Sequence, residues 1–279
     1  MWVGQQLADG LDFWGFLGSL ILGGIILGIY TGLLGYVGAK TGLSLDLLSQ
    51  RAFGEKGSYL PSAMTSFTQI GWFSVGSFVS GGTATPNFAR FAKDGKSGAI
   101  TTVVAFFIGN SLMFFFGAVS SIFVGGNDIF EVMVRLNLFY LAVLVLGLNI
   151  WTTNDNALYT AGLGLANIFH QRKKPMVLLS GIIGTVASVW LYYNFCGWLN
   201  ILNCTLPPVG MILVLAYFMN KEDFETDQPK LKTVDWFAVA GVILGAIVAN
   251  LLHWGIASIN GMVVAAVCYC VGQAVNKRK

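Results

Sequence analysis

Residues 149–156 read Asn-Ile-Trp-Thr-Thr-Asn-Asp-Asn: three asparagines, two threonines and an aspartate inside an otherwise apolar stretch. Upstream, 138–146 is almost wholly hydrophobic; downstream the chain stays mostly small and apolar to Phe169. Neutral amides and hydroxyls can read the hydrogen-bonding edge of a polar solute. Asn149, Thr152, Thr153 and Asn156 fall at i, i+3, i+4 and i+7, which is one stripe on a helix. Asp155 lies about 120° off that stripe by helical geometry. It reads as a network residue or proton site rather than a solute contact. Lipid cannot satisfy such groups, so they survive only in the protein interior or around a bound solute.

A second polar segment runs from Phe67 to Thr83 and is rich in glycine and serine. Gln69, Trp72 and Gly76 are spaced to share one helix face. A tryptophan and an amide on one face suit a planar heteroaromatic solute, which the ring stacks and the amide reads. An interfacial tryptophan beside a helix-packing glutamine is the plainer reading of that spacing. Pro207-Pro208, following Asn200 and Asn203, is expected to break or kink its helix. No phosphate loop, metal motif or nucleophile motif is present. Cys196, Cys204, Cys268 and Cys270 lie in or beside apolar segments and read as packing residues. His170 and His253 have no ligand partner at a metal spacing.

These segments need helices to position them, and those helices read as membrane spans. Hydrophobic residues make up 55% of the 279-residue chain and charged residues 10%, against about 25% charged in a soluble domain. The mean hydropathy is +0.70. Spans of ~20 apolar residues are expected at about 13–36, 59–82, 99–124, 138–167, 176–193, 198–219, 235–253 and 256–275. The fourth is long enough to be two half-helices around the polar segment. No cleavable signal peptide is expected at the N-terminus, which lacks a charged leader region. Basic clusters at 40–56, 90–96, 172–174, 221–232 and 277–279 are expected to face the cytoplasm. The intervening loops carry only Arg135. From residue 90 onward the alternation works, and the C-terminus falls in the cytoplasm. It fails once: the clusters at 40–56 and 90–96 both read as cytoplasmic, yet one apolar run, 59–82, joins them.

Several stretches resemble the cytosine permease branch of the nucleobase–cation symporters. They are Leu27-Gly-Ile-Tyr-Thr, Gly35-Tyr-Val-Gly-Ala-Lys-Thr-Gly-Leu, Thr68-Gln-Ile-Gly-Trp-Phe, Gly76-Ser-Phe-Val-Ser-Gly-Gly-Thr, Phe107-Ile-Gly-Asn-Ser-Leu-Met-Phe and Leu148-Asn-Ile-Trp-Thr-Thr-Asn-Asp-Asn-Ala-Leu-Tyr. The resemblance implies an all-α membrane protein of leucine-transporter type, with two five-helix inverted repeats plus two extra helices. It also implies that the chain starts partway through the family's first helix and jumps near 76–77 from the third helix to the sixth. Roughly ninety residues, about four spans' worth, would be missing there. The whole chain, 1–279, is then a single transporter domain with a break or deletion near 76–77.

By the same resemblance, the base would be held by Gln69, Trp72, Ser77, Phe78, Ser80 and Asn149, with Trp72 and Phe78 sandwiching the ring. Sodium would take oxygens from Asn149, Thr152 and Thr153, a partial site because other ligands belong to the lost first half-helix. The expected activity is sodium-coupled import of cytosine through a multi-pass protein of the cytoplasmic membrane. Sodium is the coupling ion, and no organic cofactor, nucleic-acid partner or enzymatic reaction is expected. A monomer in the lipid bilayer is expected. The alternatives are a symporter for a related base, hydantoin or allantoin, and a truncated homologue that does not transport. A membrane enzyme ranks behind both.

Overall fold

The structure is a computed structural model; it describes residues 12–75, 81–125, 129–226, 229, 231–252 and 254–276. Among the described residues every regular element is helical. Helix α1 (Phe13–Thr41) starts where the Asp12 carboxylate accepts from the Gly15 N–H, and it ends at Gly42. An amphipathic helix, α2 (Leu45–Phe53), follows and is capped by Ser44. Next come α3 (Tyr59–Val75), α4 (Gly81–Ala84) and α5 (Pro86–Ala89). Helix α6 (Gly95–Val104) passes through a π turn at Ala105–Gly109 into α7 (Asn110–Val124), and a short α8 (Ile129–Arg135) leads to α9 (Phe139–Phe169). The remainder is α10 (Lys173–Tyr193), α11 (Phe195–Met219), α12 (Lys221–Glu225), α13 (Trp236–Leu251) and α14 (Ala257–Asn276).

Five helical runs are long and apolar enough to cross a membrane: α1, the α6–α7 run, α10, α11 and α14. Helix α13 is a shorter apolar helix. The chain is a multi-pass, all-α membrane protein. Each expected span contains a helix; one local expectation fails, and of the break or kink expected at Pro207-Pro208 the break is absent. Helix α9 is one continuous helix, not two half-helices. Asn, Thr and Asp are only mildly unfavourable in a helix interior, and the segment holds neither the proline nor the adjacent glycines that break one. Likewise α11 runs through Pro207 and Pro208 without ending. The Pro208 ring abuts Gly245 of α13 and Gly261 of α14, so neighbouring helices enclose the interruption. The expected run 59–82 is helical to Val75, and α4 resumes at Gly81. The break expected near 76–77 falls on residues 76–80, outside the described residues.

The helices pack in three groups: α1 with α4–α7; α3 with α9 and α10; and α11 with α13 and α14. Helix α11 is central. Buried residues make up 61% of its most apolar window, against 6–28% for the other candidate spans. Its Val209, Ile212 and Leu213 meet Leu34 of α1, Phe53 of α2 and Tyr269 of α14 in one buried cluster.

Helices α3 and α9 run antiparallel and in close contact. Ser66 Oγ donates to the Ala161 carbonyl at 3.1 Å, and Asn167 Nδ2 donates to Ser62 Oγ at 2.9 Å. A Cβ on Gly164 would collide with Ser66 Oγ and sit 2.8 Å from the Ser62 carbonyl oxygen. Because that backbone oxygen cannot yield without moving α3, Gly164→Ala should cost about 1–3 kcal/mol, the usual cost of overpacking. Thermal unfolding of purified protein should show a midpoint lowered by several degrees. An unchanged midpoint would mean the two helices separate freely.

Candidate functional site

The antiparallel register aligns the two polar segments of the sequence. Starting from the Ser66–Ala161 contact, Val75 and Thr152 lie equally far along their helices. The last turns of α3, with Gln69 and Trp72, are therefore level with the Thr152–Tyr159 stretch of α9. Asn149 lies one turn further along α9. Gln69 is 7% exposed, and its neighbour Gly71 packs face-on against the buried Trp198 ring of α11. A Cβ there would sit 2.6 Å from Trp198 Cε2. Trp72 and Thr152 lie on helical backbone, but their side chains are outside the described residues, as are Ser77, Phe78 and Ser80.

On α9, Thr153 and Asn154 are half-buried, while Asn149, Asp155 and Asn156 are exposed. Most membrane threonines here bond back to the carbonyl one turn upstream, as Thr31, Thr68, Thr102, Thr185 and Thr205 do at 2.7–2.9 Å. The Thr153 hydroxyl, inside the same helix, makes no hydrogen bond among the described residues. The Asn154 Oδ1 is shut from solvent and also lacks a partner among them. An uncommitted hydroxyl and an unmatched amide oxygen side by side are what a cation or a hydrogen-bonding solute requires. Sequence reasoning placed Thr153 in the site but missed Asn154, which lies off the stripe traced through Asn149 and Asn156.

A second polar cluster went unread because its members are far apart in sequence. Asp46 of α2 is 5% exposed and accepts from Ser62 Oγ at 2.6 Å. Asn167 of α9 donates to Ser62 and Ser58 and accepts from Gln50 Nε2 at 2.6 Å. Asn87 of α5 is fully buried and accepts the Leu45 N–H at 2.8 Å. Arg90, just past α5, donates through Nη2 to the Tyr159 hydroxyl of α9. Lys173 lies 3.6 Å over the Tyr159 ring, and Tyr59 pairs with His170 at 2.7 Å. The cluster sits at the end of the molecule that carries the basic loops.

A sequence profile described as "Permease for cytosine/purines, uracil, thiamine, allantoin" matches residues 1–83 and 74–274. The cytosine permease of Escherichia coli K12 is 35% identical over 372 residues, covering 100% of this chain and 88% of the relative. That of Escherichia coli O157:H7 matches to the same extent. An alignment of 372 positions for 279 residues leaves at least 93 positions of the relative (372 minus 279) facing no residue of this chain. The chain belongs to this family of membrane permeases.

Burial pushes the Asp46 carboxyl up from its ordinary 3.8 to about 6, with the Ser62 hydroxyl and the Arg90 guanidinium pulling it back. The folded state therefore holds the Asp46 proton more tightly than the unfolded chain does. The cost of ionising Asp46 is absent below the unfolded value, grows as pH rises between the two values, and is complete above about 6. That cost is at most ~3 kcal/mol at ~1.4 kcal/mol per unit. Asp46→Asn keeps an acceptor for Ser62. It should raise the thermal midpoint relative to the parent at pH 8 and lose that advantage at pH 4. An equal difference at both pH values would contradict the buried-carboxylate account.

Proposed function

We propose that the chain carries cytosine across the cytoplasmic membrane together with sodium, by alternating access in a leucine-transporter-type bundle. The C-terminus would be cytoplasmic. The observation that carries this reading is the level placement of the α3 end bearing Gln69 and Trp72 with the polar run of α9. Relatives that are cytosine permeases support the choice of solute. In this reading Trp72 and Phe78 stack the base, while Gln69, Ser77, Ser80 and Asn149 bond its edge. Asn149, Thr152 and Thr153 give oxygens to sodium; the free hydroxyl of Thr153 fits that role. Sodium held on the same turn of α9 as the base contacts would hold that turn in the geometry the base needs, so each solute tightens the other. The functional unit is a monomer.

A second reading has one observation in its favour. The exposed Asn149, Asp155 and Asn156 lie on a mostly apolar helix, and at least 93 positions of the relatives have no counterpart here. A chain that lacks that segment would fold as a membrane protein but would not complete the transport cycle.

Radioligand binding to the purified chain separates the two. Trp72→Ala should weaken cytosine binding by about 1–3 kcal/mol, the usual worth of a base–aromatic stack. Gln69→Ala and Asn149→Ala should each weaken it by ~1–3 kcal/mol through lost edge bonds. No binding by the parent chain would favour the non-transporting reading, and full affinity in Trp72→Ala would remove the sandwich.

The double variant Thr152→Ala/Thr153→Ala should weaken sodium first. Cytosine affinity should then fall in sodium buffer by the ~1–3 kcal/mol typical of coupled sites, with little change in choline buffer. Equal parental affinity in both buffers would remove sodium coupling.

A further inference from the structure

Two of the three helix groups meet thinly at the basic end. One pack is α1 with α4–α7, and the other is α3 with α9 and α10. At that end the polar joints between them are few and specific. Arg90 leaves α5 on the first pack and donates to Tyr159 on the second. Phe88 of α5 lies 6.3 Å from the Tyr159 ring, and Asn87 bonds the backbone of α2. The Arg90 guanidinium also lies over the Phe91 ring, 4.7 Å from its centre, and near enough to the buried Asp46 for its charge to act on that carboxyl. The tyrosine faces a second cation, Lys173, from its own side of the joint.

This joint is incompletely satisfied. Arg90 Nε and Asn87 Nδ2 are both shut from solvent and have no hydrogen-bond partner among the described residues. Donors left unmatched in a closed contact favour its opening to water, whereas the Arg90–Tyr159 bond opposes opening. A contact held by one charge-assisted bond against unmatched donors is a two-state element of small bias.

We propose that the Arg90–Tyr159 bond is a latch: it holds α5 and its pack against α9 and closes the solute path at the basic, cytoplasmic end of the molecule. The inference rests on the transport reading above and adds to it the residues that keep that end shut. Arg90 and Tyr159 are positioning residues and touch neither solute. Breaking the bond frees the α1/α4–α7 pack to swing from α9. Water then enters at Asn87 and Arg90, and their unmatched donors become hydrated.

Two spin labels test it without any need for transport. The exposed Lys96 of α6 and Lys174 of α10 lie one on each pack. They are replaced by labelled cysteines in the full chain, after Cys196, Cys204, Cys268 and Cys270 are changed to alanine. Distances are read by pulsed electron paramagnetic resonance in lipid nanodiscs. Tyr159→Phe removes only a hydroxyl and leaves the fold intact. It and Arg90→Ala should each raise the long-distance, open population about tenfold relative to the closed one, the scale set by one charge-assisted bond. Arg90→Lys keeps the cation and should restore part of the closed population. Distance distributions identical in the parent and both variants would overturn the latch, even if cytosine binds. Shifted distributions in a chain that binds no cytosine would uphold the latch and overturn the solute assignment instead.

Discussion

A bilayer interior supplies no hydrogen bonds, and this constraint orders the rest of the molecule. It explains why threonines on α1, α3, α6, α10 and α11 turn back to their own carbonyls. It also explains why Pro208 inside α11 sits against glycines of two neighbouring helices. The buried Asn154 Oδ1 breaks that pattern: it has no partner among the described residues, in the middle of a long, otherwise apolar helix. The close approach of α3 and α9, which depends on Gly164 having no side chain, fixes what lies opposite it.

Much of this was legible in the sequence because apolar length is a strong signal. Each of the eight expected spans contains a helix, and the polar run at 149–156 stands out against its surroundings by composition alone. The details that were misread have a common cause. A continuous α9 and an unbroken α11 depend on what neighbours provide, not on local residue types. Pro207-Pro208 reads as a break or a kink until the enclosing Gly245 and Gly261 are known. The short helix α2 was taken for part of a basic loop, so its buried Asp46 escaped notice beside the more conspicuous Asp155. The Asp46–Ser62–Asn167 and Arg90–Tyr159 contacts join positions tens to more than a hundred residues apart, and no spacing rule connects them. The expectation for residues 76–80, which includes Ser77, Phe78 and Ser80, concerns a stretch outside the described residues.

The two polar clusters divide the labour between the two ends of the α3–α9 contact. At one end, the amides and hydroxyls of α9 lie level with the last turns of α3. At the basic end, charged and aromatic groups join packs that otherwise share little surface. A solute site between two bodies is only useful if their contact can open. Among the described residues, Arg90 Nε and Asn87 Nδ2 are buried without a partner at that contact.

The central claim is that the polar face of α9 lines a solute site rather than lipid. Asn156→Cys, in a chain whose four native cysteines are replaced, tests it most directly through labelling by a membrane-impermeant maleimide with and without cytosine. The account predicts that the thiol reacts with the water-soluble reagent and that cytosine with sodium slows the reaction severalfold. Reaction only with a lipid-soluble reagent, at a rate indifferent to cytosine, would contradict it.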